Sequence, residues 1–206
     1  MPQRKRTVPI ASPSPQRWLH EAQAAAWLSP HPSVRVGAVV TTPDGRNRLG
    51  RAANAPPDGI RLTAERQKHG EKSLWVMCAE KRALAAAQRR RDHFGLKSLK
   101  GCRIYSTLEP CHTCAHDIIE AGIKLICVPA GARAAYPKLK KKYRRSMAAA
   151  ETMFAEAGVK LVRLPLNAER ALDKRKKSSG KRSVHSGKST PLAAPAPRAP
   201  KPRARQ

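Results

Sequence analysis

A chain of 206 residues, 40% apolar but only 4% aromatic, can bury one sizeable core, and none of its apolar runs nears the roughly 18–20 residues of a membrane span. Its five cysteines (78, 102, 111, 114 and 127) are odd in number and scattered, which argues against a disulfide scaffold and for a reducing compartment with metal-bound or core thiols. The net charge of +28 sets up a field that attracts phosphates, on nucleotides, nucleic acid or anionic lipid.

The N-terminal stretch "MPQRKRTVPIASPSPQ" is basic and proline-rich without an apolar segment, so it does not read as a secretory signal. Residues 1–15 are expected to be disordered. The first helix is expected from Trp18 to Leu28, ending before Ser29-Pro30. "VRVGAVVTT" (34–42) reads as a strand, "PDG" (43–45) as a turn and 46–53 as the returning strand. Residues 55–72, polar with Pro56-Pro57 and Gly59, read as a long loop. "MCAEKRALAAAQRRR" (77–91) is alanine-rich and helical. A strand at 102–108, a helix at 111–121 closed by Gly122, a strand at 124–130, a helix at 142–157 and a last strand at 159–164 complete the pattern. Helices between strands imply βαβ crossovers, hence an α/β fold whose sheet carries helices on both faces.

From Arg170 the chain becomes low-complexity, with twelve Lys/Arg against the single acid Asp173. It has too few large apolar residues to offset the entropy of ordering. The expected organisation is therefore a disordered segment 1–15, one domain over 16–169 and a disordered basic tail over 170–206. The run "KLKKKYRR" (138–145) holds six basic residues around Tyr143. With the tail, it is a candidate nucleic-acid contact, weighed against an ordinary solvated face. The expected location is the cytoplasm, or the nucleus if the host has one, through "KRKK" and "GKR" (174–182).

The chemistry sits in two short stretches. "MCAEKR" (77–82) puts Cys78 two residues before Glu80, and "TLEPCHTC" (107–114) carries Cys111 and Cys114 at the C-x-x-C spacing. Zinc takes thiolates tetrahedrally, and a catalytic site leaves a fourth position for water. Both stretches fall at expected helix starts, where the positive helix end favours ionised sulfur. A carboxylate beside such a site can take a proton from the water and pass it to a leaving amine. Ordinary buried thiols and an unrelated surface glutamate are the competing reading of either stretch alone. Cys102 and Cys127, in apolar strands, read as core thiols. Trp18, Trp27 and Trp75 read as packing residues, and His112 and His116 as surface groups or neighbours of the site.

Three blocks resemble the zinc-dependent cytidine and deoxycytidylate deaminase family, most closely its deoxycytidylate branch. They are "SPHPSVRVGAVVTTPDG" (29–45), "NAPPDGI" with "EKSLWVMCAEKRALAAA" (54–60 and 71–87), and "GCRIYSTLEPCHTCAHDIIEAGIKLICVPA" (101–130). The resemblance implies a three-layer αβα sandwich on a mixed central sheet, assembled as a homo-oligomer. It implies Zn2+ held by Cys78, Cys111 and Cys114, with Glu80 as catalytic acid/base. It also implies that the backbone N–H of Ala79 bonds near the base and that Asn54 contacts the sugar and the pyrimidine edge. The implied reaction is hydrolytic deamination at C4 of a cytosine ring, dCMP being the first candidate substrate. The chain departs from that branch at Cys78, where histidine is usual, and at Ala55, Asp58 and Arg82, where Gly, Arg and Asn are common. Two rival readings are a deaminase of cytosine or adenine in RNA or single-stranded DNA, and an inactive zinc-stabilised nucleic-acid-binding protein.

Overall fold

The computed structural model describes residues 13–68, 71–134 and 141–166. The expectations for residues 1–12, the tail 170–206 and the first three positions of the basic run lie outside the described residues. In chain order the elements are α1 (Pro15–Ala26), β1 (Gly37–Thr41), β2 (Arg48–Ala53), α2 (Lys72–Trp75), α3 (Ala79–Arg90), β3 (Arg103–Ser106), α4 (His112–Glu120), β4 (Leu125–Pro129), α5 (Lys141–Glu156) and β5 (Lys160–Leu164). None of these helices is long and apolar enough to cross a membrane.

The strands form one sheet in the order β2-β1-β3-β4-β5. β1 is antiparallel to β2 and β3, while β3, β4 and β5 are mutually parallel. The parallel strands are joined through α4 and α5, the crossovers anticipated from the alternation of elements. Side chains alternate across the sheet. Val39, Tyr105 and Cys127 pack under α1 with Trp18, Leu19 and Ala22. Ala38, Val40, Leu49, Ile104, Ile126 and Val128 pack against α3, α4 and α5 on the other face. The result is the three-layer αβα sandwich with a mixed sheet.

Two glycines set how closely the helices approach. A Cβ on Gly37 would lie 1.9 Å from the carbonyl oxygen of Ala22, so α1 rests directly on β1. A Cβ on Gly50 would lie 2.2 Å from the carbonyl oxygen of Ala83 and 2.7 Å from the nitrogen of Ala87, so α3 rests just as closely on β2. Alanines at the contact points make this approach sterically feasible, which explains the helices' alanine-rich composition better than propensity alone.

Several boundaries differ from the sequence reading for definable reasons. α1 starts at Pro15, whose missing N–H costs nothing in the first turn, and stops before Trp27. Trp18 is buried and its Nε1–H donates to the carbonyl of Gly45 at 2.9 Å. Trp27, beyond the buried stripe of α1, is 75% exposed with the Arg35 guanidinium over its ring, so it is not a packing residue. β1 begins later than expected because the Val36 N–H and the Val34 carbonyl bond to the side chain of Asn54, while the Val36 carbonyl accepts from the Asn54 backbone N–H. The 55–72 loop is partly structured: it holds a single 3-10 turn at Glu65–Gln67 and runs into α2, and paired backbone bonds between Ala55 and Met77 draw its ends together. In it, Arg66 stacks on Trp75 at 3.9 Å.

Candidate metal centre and active site

Cys78 and Cys111 are the N-cap residues of α3 and α4, each with extended backbone. Two helix N-termini therefore converge on the same sulfurs, and Cys114 lies one turn into α4. The Lys81–Asp117 ion pair at 3.1 Å ties the two helices together beside this point. The Sγ atoms of Cys78 and Cys111 are 3.9 Å apart, those of Cys111 and Cys114 are 3.5 Å apart, and all three lie within 4.8 Å of one another. Zn–S bonds of about 2.3 Å in a tetrahedron space sulfurs about 3.8 Å apart. Cys114 is buried and the other two are half-buried, which leaves one side of the cluster open. The donor set fits Zn2+.

The thiols also share their charge. Contacts with Cys114 and Cys78 pull the Cys111 thiol far below its ordinary range. Cys78 and Cys114 are pushed up, chiefly by their contact with Cys111. Cys102 and Cys127 are buried in strands or their flanks and burial raises each to about 11, as inert core thiols.

Glu80 is 3% exposed, unusual for a carboxylate. Its Oε1 accepts a 2.7 Å hydrogen bond from the Ser106 hydroxyl, and its Oε2 lies 3.7 Å from Cys114 Sγ. β3 turns Ser106 and Ile104 toward α3, whereas Tyr105 faces α1, so strand alternation aims the hydroxyl. Burial pushes the Glu80 carboxyl from its ordinary 4.5 up to about 7. Ala79, in the first turn of α3, is fully buried beside it.

Asn54 is buried near the start of the long loop. Its Oδ1 accepts from the Val36 N–H at 2.7 Å and its Nδ2 donates to the Val34 carbonyl at 3.0 Å. Ser29 Oγ donates to its carbonyl, and the Nδ1 of buried His31 accepts from the backbone N–H groups of Ser33 and Val34. The amide thus clamps the 29–36 loop, leaving one N–H and one lone pair of its side chain for other partners. Asn54→Ala is expected to cost about 2 kcal/mol of stability by removing two buried hydrogen bonds, measurable by urea unfolding. An unchanged midpoint would remove this structural role.

Sequence reasoning did not single out Ser106, although its place five residues before Cys111 in a buried strand was a signal. His112 contributes outside the cluster, with its backbone N–H donating to Ser146 Oγ at 3.0 Å and so joining α4 to α5.

An αβα sandwich with three converging thiols and a carboxylate buried beside them defines a zinc-binding α/β protein. The chain belongs to the cytidine and deoxycytidylate deaminase family, whose zinc-binding region matches residues 12–130. It is 32% identical over 115 residues to an uncharacterized deaminase from the luxG 3' region of Aliivibrio fischeri, a match covering 55% of this chain and 71% of that protein. In fold it is similar to the dCMP deaminase of cyanophage S-TIM5, with TM-score 0.53 and 18% identity over 73% of this chain and 96% of that one. The same phage enzyme in complex with dCMP and dUMP aligns with TM-score 0.52 and 18% identity, covering 72% of this chain and 95% of that one.

Proposed function

We propose that the protein is a zinc-dependent hydrolytic deaminase converting a cytosine nucleotide, dCMP first, to its uracil form with water consumed and ammonia released. The observation that carries this reading is the buried Glu80 carboxylate, fixed by Ser106 and 3.7 Å from Cys114 Sγ of the three-thiol cluster. Cys78, Cys111 and Cys114 would hold the zinc, which when bound supplies an acidified water as nucleophile.

Glu80 then carries the protons. The Ser106 hydroxyl holds Oε1, so Oε2 is the oxygen that faces the thiols and exchanges a proton with the water. It delivers protons to the ring nitrogen N3 and to the departing amine. By the resemblance to the family, the N–H of Ala79 would donate near the base and Asn54 would contact the sugar and the pyrimidine edge. The one side-chain N–H of Asn54 that is not bonded to Val34 is consistent with this role. Support for dCMP among cytosine substrates comes from the three blocks similar to the deoxycytidylate branch and from the fold shared with the phage dCMP deaminase.

The test is ammonia release from dCMP, CMP, deoxycytidine and cytidine by zinc-loaded protein, with Glu80→Ala alongside. Turnover of one monomer that disappears in the variant supports the reading and identifies the phosphate and sugar preference. Silence on all four with zinc bound removes it.

A second reading, deamination within single-stranded RNA or DNA, is favoured by Trp27, which is 75% exposed under the Arg35 guanidinium on a strongly basic chain. It predicts activity on oligonucleotides with steep salt dependence. Salt-sensitive binding without turnover would instead match an inactive nucleic-acid-binding protein.

A further inference from the structure

Two residues before Cys111, the side chain of Glu109 is only 6% exposed. Its carboxylate lies in a closed ring of four charges. Arg133 Nε donates to Oε2 of Glu109, and Arg163 Nε donates to Oε1 at 2.9 Å. The same two guanidiniums reach Glu151 through their Nη2 atoms, at 3.2 Å from Arg133 and 2.9 Å from Arg163. Each arginine thus bridges both carboxylates, and each carboxylate oxygen has its own N–H donor. The ring joins the β3–α4 turn, the segment after β4, α5 and β5.

Burying a carboxylate is costly, and an ion pair repays it only when geometry satisfies the charge fully. Among the described residues, surface pairs elsewhere, such as Arg46–Asp44 at 3.8 Å, have no such arrangement. The difference is where Glu109 sits. Pro110 separates it from Cys111, and proline both locks its own φ and confines the preceding residue to extended backbone. The tripeptide Glu109-Pro110-Cys111 therefore has few free torsions, so holding the carboxylate also holds the N-cap of α4.

We propose that Glu109, clamped by Arg133 and Arg163, is a positioning residue that presets Cys111 and Cys114 for the metal. It touches neither metal nor substrate and acts through the turn. The inference rests on the reading of Cys78, Cys111 and Cys114 as the zinc ligands. Glu151 closes the ring from its exposed side, so its loss loosens the arginines but leaves Glu109 paired.

The test is zinc affinity of the full chain by competition with a chromophoric chelator, together with the visible absorption of the cobalt-substituted protein. Outer-shell partners of metal ligands are worth about 10–100-fold in affinity. Glu109→Gln is expected to weaken zinc about tenfold or more and to shift the cobalt bands. Arg133→Ala should weaken it in the same direction, and Glu151→Gln should stay within about twofold with unchanged bands. If Glu109→Gln fails to fold, Arg133→Ala, at a half-exposed site, decides alone. Zinc affinity within twofold and superimposable bands in Glu109→Gln and Arg133→Ala would overturn the proposal, as would an equal loss in Glu151→Gln. Zinc binding that survives Cys111→Ala at wild-type affinity would instead sink the ligand reading itself.

Discussion

Glu80→Gln is expected to lower turnover by about 10²–10⁴-fold while zinc stays bound, the range for loss of a positioned proton carrier. The amide keeps the shape of the carboxylate, and its oxygen can still accept from Ser106. What it cannot do is take up and release a proton at Oε2. The same substitution should have the opposite effect on stability once zinc has been stripped by a chelator. Burial raises the Glu80 carboxyl from 4.5 to about 7 in the folded chain. Between those values the folded state binds a proton that the unfolded state does not, so the wild-type chain loses stability as pH rises through that window. The penalty is fully present above pH 7 and absent below 4.5, and it reaches about 3 kcal/mol. Stripped Glu80→Gln should therefore unfold at higher denaturant than stripped wild type at pH 8, with the gap closing by pH 4. A constant gap across that range would show that burial does not hold the proton on Glu80.

Gly50→Ala is expected to damage both fold and site. The added methyl would lie 2.2 Å from the Ala83 oxygen and 2.7 Å from the Ala87 nitrogen. Both are backbone atoms of α3, so no rotamer change can relieve the clash and the helix must move off the sheet. Overpacking of this kind costs about 3 kcal/mol. α3 carries Ala79 and Glu80 and is capped by Cys78, so its displacement should weaken zinc binding as well as lower the unfolding midpoint. Gly37→Ala provides the contrast. Its methyl would meet Ala22 and Ala26 of α1, which carries none of the site residues. A comparable stability loss with a smaller effect on zinc is expected there. Equal zinc losses in the two variants, measured by the same chelator competition, would show that the metal centre responds to general loosening rather than to α3.

Local pattern carried most of the architecture. Alternation between strands and helices predicted the crossovers and a sheet that carries helices on both faces. The three sulfurs and Glu80 were legible because each lies at a helix start, where residue type and spacing are local properties of the chain. The errors were equally physical. A tryptophan at the end of a helix looks like core until the buried stripe is seen to end before it, as at Trp27. A strand such as 34–42 looks continuous until a side chain from another segment, here Asn54, takes the Val36 N–H and the Val34 carbonyl.

Ser106 bonds to Glu80 across 26 residues of chain, and Glu109 is held by Arg133 and Arg163 across 24 and 54. No spacing rule reaches that far, because such partners meet only when the parallel strands are laid side by side. The choice of groups able to hold a metal and move a proton is written in short motifs, since it depends only on which atoms those residues possess. Which oxygen of Glu80 faces the thiols, and what clamps the turn bearing Cys111, depend on the closure of the sheet, because a hydrogen bond requires its donor and acceptor to arrive from distant parts of the chain within about 3 Å.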